Sequence, residues 1–260
     1  EATIALSNVY TQDVGSLKIT KTFAGQPDDA DLSKLSFTIS DGTTETTITY
    51  ADFTDGAYLI ENVPVGTVYT VTETNADGLI TNYTLAANSV TSGEATIAKD
   101  TEAVIALTNK YTQDVGSLKI TKTFEGTPAG ADLSGLSFTI SHGTTDTVVT
   151  YADFTDGAYT IANIPVGTTY TVTETNAGTL IANYSLSADS VTEGTATIAK
   201  DTEAVIALTN TYTQDVGSLK ITKTFEGTPA DADLTGLSFT INDGTTDTVV
   251  TYADFTDGAY

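Results

Sequence analysis

The 260-residue chain contains no cysteine, methionine or tryptophan. Without cysteine it forms neither a disulfide nor a thiolate metal site, and oxidation has no sulfur to attack. Histidine occurs once, at His142, where the corresponding positions of the internal repeats hold Asp41 and Asp243. With no cysteine and no recurring histidine, the sequence indicates no nucleophile–base pair for catalysis on an external substrate.

Basic residues are scarce as well. Ten Lys and Arg against 34 Asp and Glu give a formal net charge of −24, which argues against nucleic acid and anionic membranes as partners. No stretch approaches the roughly 18 apolar residues of a membrane span, so no membrane insertion is expected in this segment. No cofactor or metal site is indicated. The acidic run at Asp28, Asp29 and Asp31 lacks the spacing of an EF-hand loop, and a solvated loop is expected there.

What is abundant points to β-structure. Hydrophobic residues make up 40% of the chain, and Thr, Val, Ile and Tyr, which suit a half-buried pleated surface, are frequent. Long runs of helix-forming residues are missing. The sequence therefore predicts an all-β fold.

Self-similarity divides the chain into units of about 101 residues. The stretch GSLKITKTF begins at Gly15, Gly116 and Gly217, and 116 − 15 and 217 − 116 are both 101. Residues 15–115 and 116–216 align without a gap and are roughly three-quarters identical. Each of these complete repeats contains about eight strand-like runs separated by turn signals, which is typical of a small β-sandwich. In the first repeat the runs are near LKITKTF, LSFTIS, TTITYAD, AYLIENV, VYTVTET, YTLAAN, EATIAK and EAVIALTNKY.

The two ends of the chain match parts of a repeat. Residues 1–14 correspond to the last strand of a preceding repeat, and residues 217–260 to the N-terminal part of a following one. We therefore expect a segment of a longer array. Only TQDVGS separates Tyr111 from Leu118, too little for a flexible Gly/Ser spacer, so the repeats are expected to stack as a stiff rod.

Three polar residues in each repeat continue the apolar face of a predicted strand. Side chains alternate across a strand, so the second lysine of LKITK faces the core. The glutamate of YTVTE and the asparagine of IALTN do the same. In the two complete repeats these residues are Lys21, Glu73 and Asn109, and Lys122, Glu174 and Asn210.

A buried lysine beside a buried glutamate and asparagine suits one reaction. Burial of an ion costs several kcal/mol unless the ion is paired. Burial of a lysine therefore favours the neutral amine, which is the nucleophilic form. The lysine Nζ is then placed to attack the asparagine Cγ, with the glutamate polarising the carbonyl and transferring protons. Ammonia leaves and an amide cross-link remains, and proximity supplies much of the rate.

These motifs, in this order and at equal spacing in both repeats, resemble the CnaB-type domains of Gram-positive pilins and adhesins, which form Lys–Asn isopeptide bonds spontaneously. The resemblance covers essentially the whole chain and implies immunoglobulin-like β-sandwich repeats. It also implies that the lysines are nucleophiles, the asparagines electrophiles, and Glu73 and Glu174 the proton shuttles. Asn8 and Lys223 match cross-link positions in the partial repeats and are expected to lack partners here.

The resemblance implies a structural stalk or fibre segment of an extracellular protein, at the surface or on a surface appendage of a Gram-positive bacterium. Its expected partners are neighbouring repeats and, in a filament, other copies; a tip adhesin or host ligand is not specified. The alternative is a module that binds a host protein or glycan, which an exposed aromatic patch on every repeat would favour. Two chemical alternatives also stay open: a polar cluster without a covalent bond, and a Thr–Gln ester at Gln113.

Overall fold

The structure is a computed structural model and describes residues 2–260. Glu1, the first residue of the predicted strand at 1–14, lies outside the described residues. Each complete repeat is a sandwich of two β-sheets, as the sequence predicts. The first repeat contains β1 (Val14–Ala24), β2 (Ser36–Ser40), β3 (Glu45–Thr49), β4 (Ala57–Pro64), β5 (Val68–Glu73), β6 (Tyr83–Leu85), β7 (Ser92–Thr96) and β8 (Glu102–Gln113).

The second repeat has the same strands in the same order. They are β9 (Val115–Glu125), β10 (Ser137–His142), β11 (Thr145–Thr150), β12 (Ala158–Pro165), β13 (Thr169–Glu174), β14 (Tyr184–Leu186), β15 (Glu193–Thr197) and β16 (Glu203–Gln214). A hairpin of β17 (Ser238–Asn242) and β18 (Asp247–Thr251) follows. Short 3₁₀ helices lie at Tyr50–Asp52, Tyr151–Asp153, Ala177–Thr179 and Tyr252–Asp254. None of the helices among residues 2–260 has the length and hydropathy of a bilayer span.

The two sheets of a repeat differ in strand direction. In the first repeat the first sheet has the order β4-β1-β8-β6, and the second sheet β3-β2-β5-β7. The second sheet is antiparallel throughout. In the first sheet the central strands β1 and β8 are parallel, from Ser16 opposite Glu102 to Ala24 opposite Lys110. The first and last strands of a repeat are therefore neighbours that run in the same direction.

The core lies between the two sheets. Leu17, Ile19 and Leu107 from the first sheet pack with Phe37 and Val71 from the second, and all five are essentially without exposed surface. They occupy alternate positions of their strands, so the opposite faces stay available to solvent. The second repeat repeats this core with the equivalent residues.

Three predicted runs are clearly shorter in the structure than in the sequence pattern. The run TTITYAD leaves the sheet at Tyr50, because the N–H and hydroxyl of Thr49 donate to Asp52 Oδ2 at 2.8 and 3.1 Å and start a 3₁₀ turn. The run YTLAAN contributes only Tyr83–Leu85, and of the run EATIAK only residues 94–96 lie in a strand, at the end of β7. Residues 2–13, which match β8 in sequence, contain no strand and are exposed.

The connection between the complete repeats is a single residue. β8 ends at Gln113 and β9 begins at Val115, so only Asp114 lies outside a strand. The chain thus passes from the last strand of one repeat directly into the first strand of the next.

Candidate cross-link site

The three inward polar residues come from both sheets of a repeat. Lys21 lies on β1 and Asn109 on the parallel neighbour β8, where Lys21 is opposite Leu107 and Asn109 is opposite Phe23. The two residues are therefore two positions apart along adjacent strands and share the inward face. Glu73 ends β5 of the second sheet, opposite Phe37, and faces them across the core.

The lysine and the glutamate form a buried ion pair. Lys21 Nζ lies 2.5 Å from Glu73 Oε1, and neither side chain has exposed surface. Lys122 Nζ lies 2.7 Å from Glu174 Oε1 in the same surroundings. An ion pair in such a dry place keeps its full desolvation cost, so it is weak evidence for a role in stability alone.

The asparagine completes the cluster. In the second repeat Asn210 Nδ2 donates to Glu174 Oε2 at 2.7 Å, so one carboxylate contacts both the lysine and the carboxamide. Both asparagines are fully buried. In the first repeat Asn109 Nδ2 lies 3.4 Å from the hydroxyl of Tyr111.

A buried tyrosine holds the asparagine from the other side. Tyr111 donates its hydroxyl hydrogen to the carbonyl of Ala76 at 3.1 Å, and Tyr212 donates to Ala177 at 3.0 Å. The tyrosine oxygen is thus fixed next to the nitrogen that would leave as ammonia. Sequence reasoning missed this contact: Tyr111 lies on the same alternating face as Asn109, but strand periodicity does not show which group its hydroxyl contacts.

Several polar atoms of the cluster are left without hydrogen bonds. Apart from the ion pair itself, no described residue hydrogen-bonds to the lysine Nζ of either repeat or to the asparagine Oδ1. Glu73 Oε1 is paired only with the lysine, and Glu73 Oε2 has no partner among the described residues. Buried polar atoms are normally paired, so the unpaired carboxylate and carboxamide oxygens call for a chemical explanation.

Burial makes each lysine a better nucleophile. Desolvation lowers the pKa of Lys21, and the hydrogen bond and charge of Glu73 oppose that shift only in part. The pKa of Lys122 is lowered for the same reason. Lys21 Nζ also lies over the Phe23 ring, 5.0 Å from its centre. Burial raises the pKa of Tyr111, so its hydroxyl keeps its hydrogen.

The remaining candidates lie elsewhere. Asn8 is exposed in the irregular segment at 2–13. Lys223 is half-buried, 4.9 Å from the centre of the Phe225 ring, and forms no ion pair with any residue the structure describes. Gln113 is exposed at the end of β8, outside the dry core that favours the lysine reaction. Within residues 2–260 no three His, Cys, Asp or Glu side chains are grouped to hold a metal ion.

Fold and site together define a class of protein: tandem β-sandwich repeats in which a buried lysine on the first strand and a buried asparagine on the last strand face a buried glutamate of the opposite sheet. The chain belongs to the family described as "Domain of unknown function (DUF5979)", which matches residues 17–112 and 118–213. No protein with a curated description matches the chain.

Solved structures with similarity to the chain include three from Gram-positive bacteria. The Bacillus anthracis TIE protein is 22% identical with a TM-score of 0.44, covering 91% of this chain and 41% of that one. Streptococcus agalactiae GBS52, a minor pilin, is 13% identical (TM-score 0.29; 80% and 99% covered). Two B repeats of the Staphylococcus aureus collagen-binding protein are 15% identical (TM-score 0.31; 95% and 63% covered). The chain thus spans under half of the first of these structures.

Proposed function

We propose that each complete repeat is closed by an intramolecular isopeptide bond, Lys21 to Asn109 and Lys122 to Asn210, and that the repeats form a stalk or fibre segment of an extracellular surface protein. The observation that carries the proposal is the contact of one buried carboxylate with both reacting groups, Lys122 at 2.7 Å and Asn210 at 2.7 Å. Display at a cell surface and assembly into a filament are part of the same proposal and follow from this structural role.

The reaction needs no group from outside the chain. The lysine transfers a proton to the glutamate and attacks the asparagine Cγ as a neutral amine. The protonated carboxyl then donates to the carboxamide, first stabilising the charge that develops on Oδ1 and then protonating the departing nitrogen. The attacking nitrogen gives its second proton to the carboxylate. One C–N bond forms and one breaks, and the released ammonia leaves with that proton as ammonium, so the glutamate ends ionised as it began. Glu73 and Glu174 therefore act as proton shuttles in a single turnover.

The position of the bond suits a chain under tension. It would join β1 to β8, the strands by which the chain enters and leaves the repeat. Tension would pass along β1 to Lys21, across the bond to Asn109, and out through the end of β8. Closing a loop of 109 − 21 = 88 positions stabilises by roughly 4–5 kcal/mol, by analogy with a disulfide.

The alternative of a binding module has less support. Between residues 15 and 216 of the described chain, no phenylalanine or tyrosine is exposed. The large hydrophobic residues that are exposed there are single aliphatic side chains, such as Val104 and Val205, which are normal for a protein surface. A recurring aromatic patch, the feature that would favour ligand binding, is not formed by these residues.

The test is the intact mass of the full chain under denaturing conditions. We expect a deficit of two ammonia molecules relative to the sequence, and none after Lys21→Ala with Lys122→Ala. The matched control is Lys18→Ala with Lys119→Ala. These lysines lie on the same strands but face outward, where they pair with Glu102 and Glu203 at 3.7 and 3.5 Å.

An unmodified mass in the wild-type chain would refute the isopeptide bond. The buried trio would then be a polar cluster without a covalent role. A deficit that survives the Lys21→Ala and Lys122→Ala changes would place the cross-link on other residues.

A further inference from the structure

The residue between the repeats, Asp114, is held by both of them. From the first repeat, Thr84 Oγ1 donates to Asp114 Oδ1 at 2.5 Å, and the N–H of Asp114 donates to the carbonyl of Asn82 at 2.8 Å. From the second repeat, Lys200 Nζ lies 3.0 Å from Asp114 Oδ1, and the N–H of Val166 donates to the carbonyl of Asp114 at 2.9 Å. Both the backbone and the side chain of Asp114 therefore link the two repeats.

Two direct contacts between the repeats surround this residue. Lys200 Nζ donates to Thr84 Oγ1, and Asn82 Nδ2 donates to the carbonyl of Val166 at 3.4 Å. The approach is close at Gly167, where a Cβ would lie 3.3 Å from Asn82 Nδ2. The equivalent Gly66 of the first repeat has no atom within 4 Å of such a Cβ.

We infer that these residues form a clamp that fixes the angle between consecutive repeats. The clamp consists of a C-terminal half on one repeat (Asn82, Thr84 and Asp114) and an N-terminal half on the next (Val166, Gly167 and Lys200). The partner that fits each half is the opposite end of another repeat of this kind.

The other two joint aspartates carry one half each. Asp13 has the N-terminal half: Lys99 Nζ lies 2.6 Å from its Oδ1, and the N–H of Val65 donates to its carbonyl at 3.0 Å. Its side chain is 55% exposed, whereas that of Asp114 is 13% exposed. Only the meeting of two halves removes the carboxylate from solvent, which strengthens its ion pair.

Asp215 has the C-terminal half. Ser185 Oγ donates to its Oδ1 at 2.5 Å, and its N–H donates to the carbonyl of Asn183 at 2.9 Å. Serine at position 185 replaces the threonine of the first repeat and makes the same bond. The C-terminal half is thus formed within one repeat and stands ready for a lysine that matches Lys200.

The pKa of Asp114 is consistent with its contacts to both repeats. The hydrogen bond from Thr84 and the hydrogen bond and charge of Lys200 lower the pKa of this carboxyl. The aspartate therefore stays ionised, as the ion pair requires.

The experiment measures the distance between repeats in the full chain. Because the chain has no cysteine, spin labels at Glu94→Cys and Thr195→Cys, which are exposed and occupy matching positions 101 residues apart, report only that distance. Pulsed electron paramagnetic resonance should give a single narrow distribution. In Lys200→Gln we expect loss of the narrow distribution.

The matched control is Lys99→Gln, which removes the same kind of ion pair from an incomplete joint and should leave the distribution narrow. Circular dichroism checks that each variant keeps its β-sheet. A distribution in Lys200→Gln that overlaps the wild type would overturn the clamp, and so would equal broadening in both variants. The result does not depend on the isopeptide bond, which is read separately from the mass.

Discussion

At the scale of single residues, the central feature is a carboxylate placed between an amine and a carboxamide. Glu174 contacts Lys122 with one oxygen and Asn210 with the other. If Glu174 only formed an ion pair, the contact with the asparagine would be unnecessary. If it only formed a structural hydrogen bond, the contact with the lysine would be unnecessary. The proposed cross-link reaction would need both contacts, because one residue must reach the amine that loses a proton and the nitrogen that departs.

Removing one carboxylate should therefore stop the reaction in one repeat only. In Glu73→Gln the side chain keeps its shape but can no longer accept the lysine proton. We expect the mass deficit to fall from two ammonia molecules to one, with the missing cross-link mapped to residues 15–115 by peptide analysis. Glu102→Gln, at the exposed partner of Lys18, serves as the control and should keep both. A deficit of two in Glu73→Gln would exclude the shuttle role.

The sequence was sufficient to predict which way the site residues face. Lys21, Glu73 and Asn109 each follow apolar residues at alternate positions, and the structure has all three buried. The role of Tyr111 was not predictable in this way. Its hydroxyl position depends on the carbonyl of Ala76, 35 residues away in a loop, and strand periodicity carries no information about such a contact.

At the scale of strands, the first strand of each repeat passes close beneath the loop before the last strand. At Gly116 a Cβ would lie 2.3 Å from the carbonyl oxygen of Ala199 and 2.9 Å from that of Thr202. Backbone atoms cannot move aside as a flexible side chain does. The glycine is therefore required by the close approach of two chain segments, at the point where β9 begins its pairing with β16.

Gly116→Ala should destabilise the second repeat. Forcing extra volume into a packed site costs about 1–3 kcal/mol, so the unfolding transition of that repeat should move to lower temperature. Gly217→Ala is the matched control: it changes the same motif, but no atom lies within 4 Å of the added Cβ. Differential scanning calorimetry of the full chain compares the two. Equal unfolding temperatures of the second repeat in both variants would show that the loop at Ala199 and Thr202 moves to accommodate the added methyl group.

The strands are predictable from local sequence, whereas the end of β3 and the joint between the repeats are not. Alternating Val, Ile, Thr and Tyr specify most of the strands of a repeat, and turn residues separate them; β7, with the sequence SGEAT, is the exception. The end of β3 at Thr49 is instead decided by the side chain of Asp52, and the joint at Asp114 by Lys200, 86 residues further along the chain. Contacts between distant positions or between repeats leave no periodic signal.

At the scale of the whole molecule, the cross-link would decide how much chain a pulling force can extract. In single-molecule stretching of the full chain, the 88 positions between Lys21 and Asn109 should stay folded, which withholds about 300 Å of extended chain per repeat. Lys21→Ala with Lys122→Ala should release it as two unfolding steps. Lys18→Ala with Lys119→Ala should show none of that size. Steps of full length in the wild type would mean that the bond does not carry the tension.

The parallel pairing of β1 and β8 also determines how far each repeat extends the chain. Since the chain enters and leaves a repeat in the same direction, each repeat advances it along the array by about 40 Å, the length of the twelve-residue strand β8. The residues of the junction at Asp114 recur at the equivalent positions of both complete repeats, with Ser185 in place of Thr84, so duplication or deletion of whole 101-residue units would preserve the junction. Repeats that are roughly three-quarters identical are also a substrate for unequal recombination. The length of the array would then be a heritable property that varies within a population with the number of repeats, while the repeat itself stays unchanged.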